Sequence, residues 1–393
     1  MDNLKKNQVH LDLDLDENLE EKLAWMFPEH GPYRILNLSI DARGRKKPHF
    51  KYSLELNPSG ETLTQENFEL EKISAPKTRP LIIGAGPCGL FAALRFVERG
   101  IKPILIERGS TCEERLKKIN RYWRYGELDP HNNVCFGEGG AGMYSDGKLI
   151  TRIKSPYIPY VLHRLVQMGA PEEIQWLSNP HVGSDRIRRL LPAFRKFLLD
   201  NGCEIHFETQ FKKLLLSQNQ VVGIEALDLK TQELKKYPSE HVILATGHSA
   251  MDIFETLHQQ NVFMEPKSFA MGVRVEHPQE LINQIQYREY ADHPKLKSAP
   301  YKLTHHDHKT NTGVYSFCMC PGGYVLSSST ENDGVVCNGM SNYSRNGPFA
   351  NAAVVVTIDH EKLFPGDLFG GIKLRTEIEQ RAQNLVTRQG LKK

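Results

Sequence analysis

The sequence of 393 residues lacks the features that would tie a chain to a membrane or to nucleic acid by composition alone. It has no unbroken apolar run of the roughly 18 residues that a bilayer-spanning helix needs, so no transmembrane helix is expected. Its opening stretch, MDNLKKNQVHLDLDLDENLEEK, has no apolar core of the kind a secretion or organelle signal carries. The formal net charge is +3, too small to argue for a polyanionic partner. Seven cysteines are few and odd in number for so large a chain, which points to a reduced, cytoplasmic setting rather than a disulfide framework. Neither an internal repeat nor a low-complexity segment is present. No Ser/His/Asp or paired-carboxylate arrangement stands out, so hydrolytic chemistry has no support. What remains is a globular composition, 39% hydrophobic and 25% charged, with length for two or three domains.

The most informative stretch is RPLIIGAGPCGLFAALRFVERGIKPILIERG, residues 79–109. The apolar run Leu81-Ile82-Ile83 enters a G-x-G-x-x-G turn at Gly84, Gly86 and Gly89. Leu90, Ala93, Leu94 and Val97 follow at helical spacing. Gly100 stops that helix, and Ile104-Leu105-Ile106 reads as a second strand ending at Glu107. Gly84 permits the tight turn, Gly86 leaves room for a pyrophosphate at the backbone, and Gly89 lets the helix sit close to the strand. The helix start then offers free N–H groups and a positive dipole end. Glu107 stands near the offset of about 20 residues at which a carboxylate accepts ribose hydroxyls. A carboxylate there disfavours a 2′-phosphate, hence NADP, at this site. The unit predicts a dinucleotide site.

Other segments organise around it. Residues 1–75 read as a small α+β module: strands at Val9–Asp14, Ile35–Ile40 and Phe50–Leu56, and a helix over Asp16–Met26. A Pro-bearing linker precedes the nucleotide domain, 76–264. Helices are expected at 156–168 and 184–200, the second capped by Ser184 or Asp185. Ile205–Phe207, Leu214–Leu216 and Val221–Leu227 read as an inserted sheet within about 203–240, and His241–Leu244 as a strand returning to the nucleotide domain. Residues 265–393 read as a second α/β region, with strands near 270–276, 314–318, 324–329 and 352–358. The fold class expected is α/β: a Rossmann-like domain with an inserted sheet between two further modules.

Three more constellations bear on chemistry. Gly137, Gly139, Gly140, Gly142 and Gly147 crowd one short loop, too dense for strand or helix and suited to wrapping a flat or phosphorylated ligand. Ser145, Asp146 and Lys148 give it polar partners. Val242-Ile243-Leu244-Ala245-Thr246-Gly247 is a buried-type strand ending in small residues, where a chain can pass close to a cofactor. Cys318 and Cys320, two apart, face one side of a strand. A redox dithiol competes there with plain packing, since i, i+2 spacing strains a disulfide. His305-His306-Asp307-His308 has no second ligand set for a metal and reads more simply as a solvated loop. Arg43, Arg45, Lys46, Lys47 and Lys51, interleaved with Phe50 and Tyr52, suit RNA or an ordinary charged strand face.

Through SIDARGRKK (39–47), GAGPCGLFAAL (84–94), FGEGGAGMYSDGKL (136–149), ATGHSA (245–250), YSFCMCPGG (315–323) and NGMSNYSRNGPFAN (338–351), the chain resembles FAD-dependent oxidoreductases of the two-dinucleotide-binding-domain type. More closely, it resembles a bacterial family usually described as uncharacterised FAD-dependent dehydrogenases. The resemblance implies that FAD is the cofactor. Gly84, Gly86 and Gly89, with Pro87 and Cys88 in the same turn, would hold its pyrophosphate, and Glu107, with Arg108 beside it, the adenosine ribose. Gly137, Gly139, Gly140, Ala141, Gly142, Ser145, Asp146 and Lys148 would approach pyrophosphate and flavin, and Ala245, Thr246 and Gly247 would pass beside them. The region from about 265 would form the substrate side. The implied activity is hydride transfer to or from a small molecule, with NADH or NADPH as a candidate donor and no membrane partner. No catalytic acid or base is named; Lys148, Cys318 and Cys320 are the candidates. An RNA-associated flavoprotein of the tRNA-modifying type, using 43–51, is an alternative. Such proteins normally close with a later Gly-Asp-like motif, which this sequence lacks. That leaves open a shortened chain, down to a non-catalytic remnant.

Overall fold

A computed structural model describes residues 7–44, 46–57, 71–151 and 153–389. In the N-terminal module, strand β1 (Gln8–Asp14) leads to helix α1 (Leu19–Met26), then to β2 (Tyr33–Asp41) and β3 (His49–Leu56). The sheet is antiparallel in the order β1-β3-β2, and Leu11, Leu23, Leu54 and Leu56 share one small core. The helix begins later than Asp16 because the Asn18 side chain caps it, accepting from Glu20 N at 2.9 Å and Glu21 N at 3.4 Å. The module joins the rest through backbone bonds: Leu38 N to Trp176 O at 2.8 Å and Ser178 N to Leu38 O at 2.9 Å.

The central region holds β4 (Leu81–Ile83), α2 (Pro87–Glu98), β5 (Ile104–Ile106), α3 (Cys112–Tyr125), α4 (Ile158–Gln167), α5 (Ser184–Asp200) and β6 (Glu204–His206). After them come β7 (Thr209–Ser217), β8 (Gln220–Asp228), β9 (Leu234–Pro238), β10 (Val242–Leu244) and α6 (Met251–Gln259). A parallel sheet runs β10-β4-β5-β6. The buried face of α2 is Leu90, Ala93, Leu94 and Val97, the stripe its spacing predicts. The segment expected at Ile205–Phe207 pairs with β5 in this sheet, so the antiparallel insertion is β7-β8-β9 alone. Its short apolar run does not reveal which neighbour it will bond. Helix α5 is not capped by Ser184 or Asp185. Gly183 is the cap residue, while Ser184 Oγ donates to Ser341 O (3.2 Å) and Asp185 accepts from Tyr343 N (2.7 Å).

The C-terminal region contains β11 (Phe269–Pro278), α7 (Gln279–Tyr287), β12 (Thr304–Asp307), β13 (Thr312–Cys320), β14 (Tyr324–Ser327), β15 (Cys337–Met340), β16 (Phe349–Ile358), α8 (His360–Leu363) and α9 (Gly370–Arg388). Its main sheet, β11-β16-β13-β12, is antiparallel, with β14-β15 as a separate ribbon. The region departs from the parallel α/β unit expected because all its strand pairs are antiparallel, even where α7 lies between β11 and β12. Among the described residues no helix is long and apolar enough to cross a membrane.

Candidate cofactor and redox sites

The glycine turn after β4 is built from backbone contacts that tolerate no side chain. Gly84 has φ of +108°, and a Cβ there would lie 2.4 Å from Ala245 O. A Cβ on Gly89 would lie 1.8 Å from Gly84 O. A Cβ on Gly86 would meet only Gly140 Cα, at 3.8 Å, so the space before it is open. Gly86 begins α2 with no side chain capping its N–H groups, and Pro87 occupies the first turn. An uncapped helix start facing open space suits a phosphate.

That start opens on a cavity of about 610 Å³, within the range of about 300–1,000 Å³ usual for ligand sites. Gly84, Gly86, Pro87, Cys88, Glu107, Arg108, Gly137, Gly140, Ala141, Gly142, Ala245, Thr246 and Gly247 line it. Glu107 is 6% exposed. One carboxylate oxygen accepts from Ala85 N at 2.7 Å, the other from Gly109 N at 2.8 Å and Gly137 N at 3.0 Å. It thus ties the phosphate turn to the glycine loop, with only its remaining lone pairs left for a ribose. Arg108 pairs with Asp252 at 2.5 Å and lies over the Phe136 ring at 4.7 Å.

Gly139, Ser145, Asp146 and Lys148 do not themselves line this cavity. Gly139 is not on the wall; a Cβ there would strike Leu191 Cδ1 at 2.6 Å. Ser145 closes a local turn, donating to Gly142 O (2.8 Å) and accepting from Gly147 N (3.0 Å). Asp146 is 1% exposed and pairs with Lys148 at 2.8 Å and with Arg345. It also accepts from Ser341 Oγ. Burial opposes its ionisation, but Lys148 and Arg345 together hold its carboxyl below the usual range. Lys148 Nζ also donates to Met319 O, between the two cysteines. The three candidates Lys148, Cys318 and Cys320 are therefore brought together, on the antiparallel sheet.

Cys318 sits at a bulge. Phe317 pairs with Ala353 and Cys320 with Asn351, so β13 spends one extra residue there. Cys318 has φ of +45°, strained for a side-chain-bearing residue. Arg274 Nη1 donates to Cys318 O (3.3 Å) and to Asn351 Oδ1 (2.7 Å). Both cysteines are free thiols, Cys318 partly exposed and Cys320 buried.

Sequence reasoning missed several organisers. Arg115 is fully buried, and its guanidinium donates to Asn133 O (2.9 Å), Val134 O (2.8 Å) and Glu138 O (2.7 Å), shaping the entry to the glycine loop. Asp252 and Arg274 lie outside every quoted motif, and Phe136 and Asn351, at the ends of two of them, carried no assigned role. Their partners lie far away in sequence, except that Phe136 directly precedes the loop. Of the basic stretch, Arg43 pairs with Asp41 at 2.6 Å and Lys47 with Asp16 at 3.1 Å, while Lys51 lies 3.8 Å from Asp12; Arg45 is outside the described residues. His305 and His306 lie on strand β12, not in a loop.

A second cavity, of about 730 Å³, lies between the N-terminal module and the C-terminal region. Arg43, Arg288, Lys295, Lys297 and Arg345 line it against one carboxylate, Glu173, with Ile40, Phe50 and Leu177 as apolar wall.

Residues 268–391 match the family described as "FAD-dependent protein, C-terminal domain-like". A protein of Clostridium beijerinckii, described as uncharacterised, is 37% identical over 402 aligned positions, covering 97% of this chain and 74% of that protein. Among solved structures, the chain is similar to the flavin-dependent monooxygenase PieE in complex with FAD and substrate (14% identity, 73% of this chain and 50% of that one, TM-score 0.35). It is also similar to the glycerol-3-phosphate dehydrogenase from Bacillus halodurans complexed with FAD (12% identity, 74% and 48%, TM-score 0.30). The chain thus spans about half the length of those two structures, and likenesses this shallow say nothing of its activity. The cavity residues fit the cofactor that the family match names, through an uncapped helix start, a side-chain-free approach at Gly86 and a glycine loop opposite. The chain belongs to one family with the Clostridium beijerinckii protein, its C-terminal region matches the FAD-dependent domain model, and FAD is its cofactor.

Proposed function

We propose that the chain is an oxidoreductase of the dehydrogenase type, acting on a small molecule, with a nicotinamide dinucleotide as electron donor or acceptor. The observation that carries this is the cavity at the start of α2, where the glycine turn, the glycine loop and residues 245–249 converge. Bound FAD supplies the hydride chemistry. Gly86 and the first turn of α2 receive the pyrophosphate. Glu107 holds the phosphate turn against the glycine loop and presents its spare lone pairs toward the ribose. Arg108, fixed by Asp252, walls the same end. Arg288, Lys295 and Lys297, beside Arg43 and Arg345 that already pair with Asp41 and Asp146, face Glu173 in the second cavity and support an anionic substrate with an apolar body.

The test is the visible spectrum of the purified protein, followed by anaerobic addition of NADH and then NADPH. A yellow protein that bleaches with either is the expected result. A colourless protein that takes up no added FAD overturns the reading.

A further inference from the structure

We propose that Cys318 and Cys320 form a redox-active dithiol, in which Cys318 attacks the disulfide of a small thiol compound and Cys320 resolves the product. The proposal adds a substrate class to the oxidoreductase reading and rests on it, but the chemistry at the two sulfurs is tested separately.

Three features support it beyond the spacing. First, the bulge fits three residue steps of β13, from Phe317 to Cys320, into two steps of β16. That compression draws Cys318 and Cys320 closer than a flat strand would, toward the Cα separations of about 4.4–6.8 Å that a disulfide spans. Second, the backbone is held at φ of +45° at Cys318, a conformation that costs about 1–3 kcal/mol and persists only where the surroundings enforce it. The enforcers here are Lys148 on Met319 O and Arg274 on Cys318 O. Third, buried donors in this cluster lack partners among the described residues: Asn351 Nδ2, on a side chain with 0% exposure, and Arg274 Nε. Unpaired buried donors of this kind accompany strained or functional sites.

The electrostatics separate the two sulfurs. A hydrogen bond from Cys320 lowers the Cys318 thiol below its ordinary value; burial opposes this, Lys148 and Arg274 reinforce it, and Asp146 works weakly against it. The same bond, with burial, raises Cys320. An accessible thiolate beside a protonated partner is the arrangement that attack and resolution require.

The balance is as follows. The Cys318 thiolate attacks one sulfur of R–S–S–R; that S–S bond breaks and RS⁻ leaves, taking a proton from water. A Cys318–S–S–R bond now exists. Cys320 gives up its proton and attacks Cys318 Sγ, expelling the second RS⁻, which takes a proton. Two protein thiols are oxidised to one disulfide, and one small disulfide is reduced to two thiols.

The experiment treats the purified protein with excess glutathione disulfide and maps the cysteines by mass spectrometry. The expected result is loss of two hydrogens from the peptide carrying Cys318 and Cys320, reversed by dithiothreitol. C320S should stop at a glutathione adduct on Cys318, and C318S should leave Cys320 unmodified. On the unaltered protein, iodoacetamide at neutral pH should label Cys318 about tenfold faster than it labels free glutathione, as a thiolate does beside an ordinary thiol. Neither disulfide nor adduct at Cys318, or labelling no faster than that of free glutathione, overturns the proposal. A colourless protein that still forms the disulfide defeats only the flavin reading. A yellow, nicotinamide-bleached protein with inert cysteines defeats only this one.

Discussion

The glycine turn at the start of α2 and the cysteine cluster on the antiparallel sheet are built by opposite means. The first is made almost wholly of backbone. Its critical distances run from missing Cβ atoms to carbonyl oxygens, and its one essential side chain, Glu107, bonds only to amides. The second is made of side chains drawn from distant segments: Asp146 and Lys148 from the loop, Arg274 from β11, Ser341 and Arg345 from beyond β15. A backbone site fails when mass is added to it. A side-chain site fails when a partner is removed.

The largest effect expected from this contrast is at Gly89. Its Cβ position lies 1.8 Å from Gly84 O, a carbonyl that no rotamer change moves. G89V should lose bound flavin completely and destabilise the protein by more than about 4 kcal/mol, beyond the ordinary range for a point change. Flavin absorbance per protein and a melting curve measure both. A G89V protein that stays yellow with an unchanged melting temperature would break the comparison.

The second test removes a partner. D146N leaves Lys148 and Arg345 without their shared carboxylate in a pocket where Asp146 is 1% exposed. Breaking such a pair costs about 3–5 kcal/mol, while flavin content should hold. The sign with pH follows from the lowered carboxyl. Its stabilisation is fully present above the unfolded value near 3.9 and is lost as pH falls through the lower folded value. Denaturant midpoints recorded between neutral and acid pH should therefore converge for native and D146N proteins at the acid end. Parallel curves would remove Asp146 from its assigned role.

The same contrast explains what was legible in the sequence. Gly84, Gly86 and Gly89 announce themselves because a turn, a close approach and a helix contact each demand the same residue at fixed local spacing. Strand β6 was misassigned to the inserted sheet because a three-residue run carries no record of its neighbour. The role of Glu107 was visible only as an acid at the right offset; its bonds to Ala85, Gly109 and Gly137 depend on a loop that returns later in the chain. Asp146 and Lys148 were read as cofactor contacts because they share a segment with the glycines. Their side chains instead reach Arg345 and Met319 O, partners that stand far away in the sequence. Cys318 and Cys320 were seen as a pair, but the bulge between β13 and β16 was not, since an extra residue has no period.

A smaller effect should come from E107Q. Glutamine keeps the shape but offers one acceptor oxygen where Glu107 uses two, and turns an NH₂ group toward a backbone donor. Losing a charge-assisted, buried bond costs about 1.5–3 kcal/mol. Flavin affinity should fall at least about tenfold, the equivalent of 1.4 kcal/mol, with the cysteine cluster unaffected. Titration of stripped protein with FAD reads the first, and labelling of Cys318 the second. Equal losses at both sites would show that the two regions are not separable.

The smallest expected effect lies outside both regions. Asn18 caps α1 through bonds to Glu20 N and Glu21 N, and α1 contributes Leu23 to a core of its own with Leu11, Leu54 and Leu56. N18A should cost about 1 kcal/mol. The N-terminal module bonds to the rest at Leu38, at Asn37 through Ser178, and at Asp16 and Glu17 through His293 and Lys295, and none of these bonds involves α1, so that loss should stay local. Hydrogen exchange should quicken in α1 and the adjoining strands, while flavin content and Cys318 labelling hold. If N18A instead loosens the glycine loop, the N-terminal module supports the cofactor cavity through the Trp176–Ser178 segment, and the division into a backbone site and a side-chain site gives way to one cooperative unit.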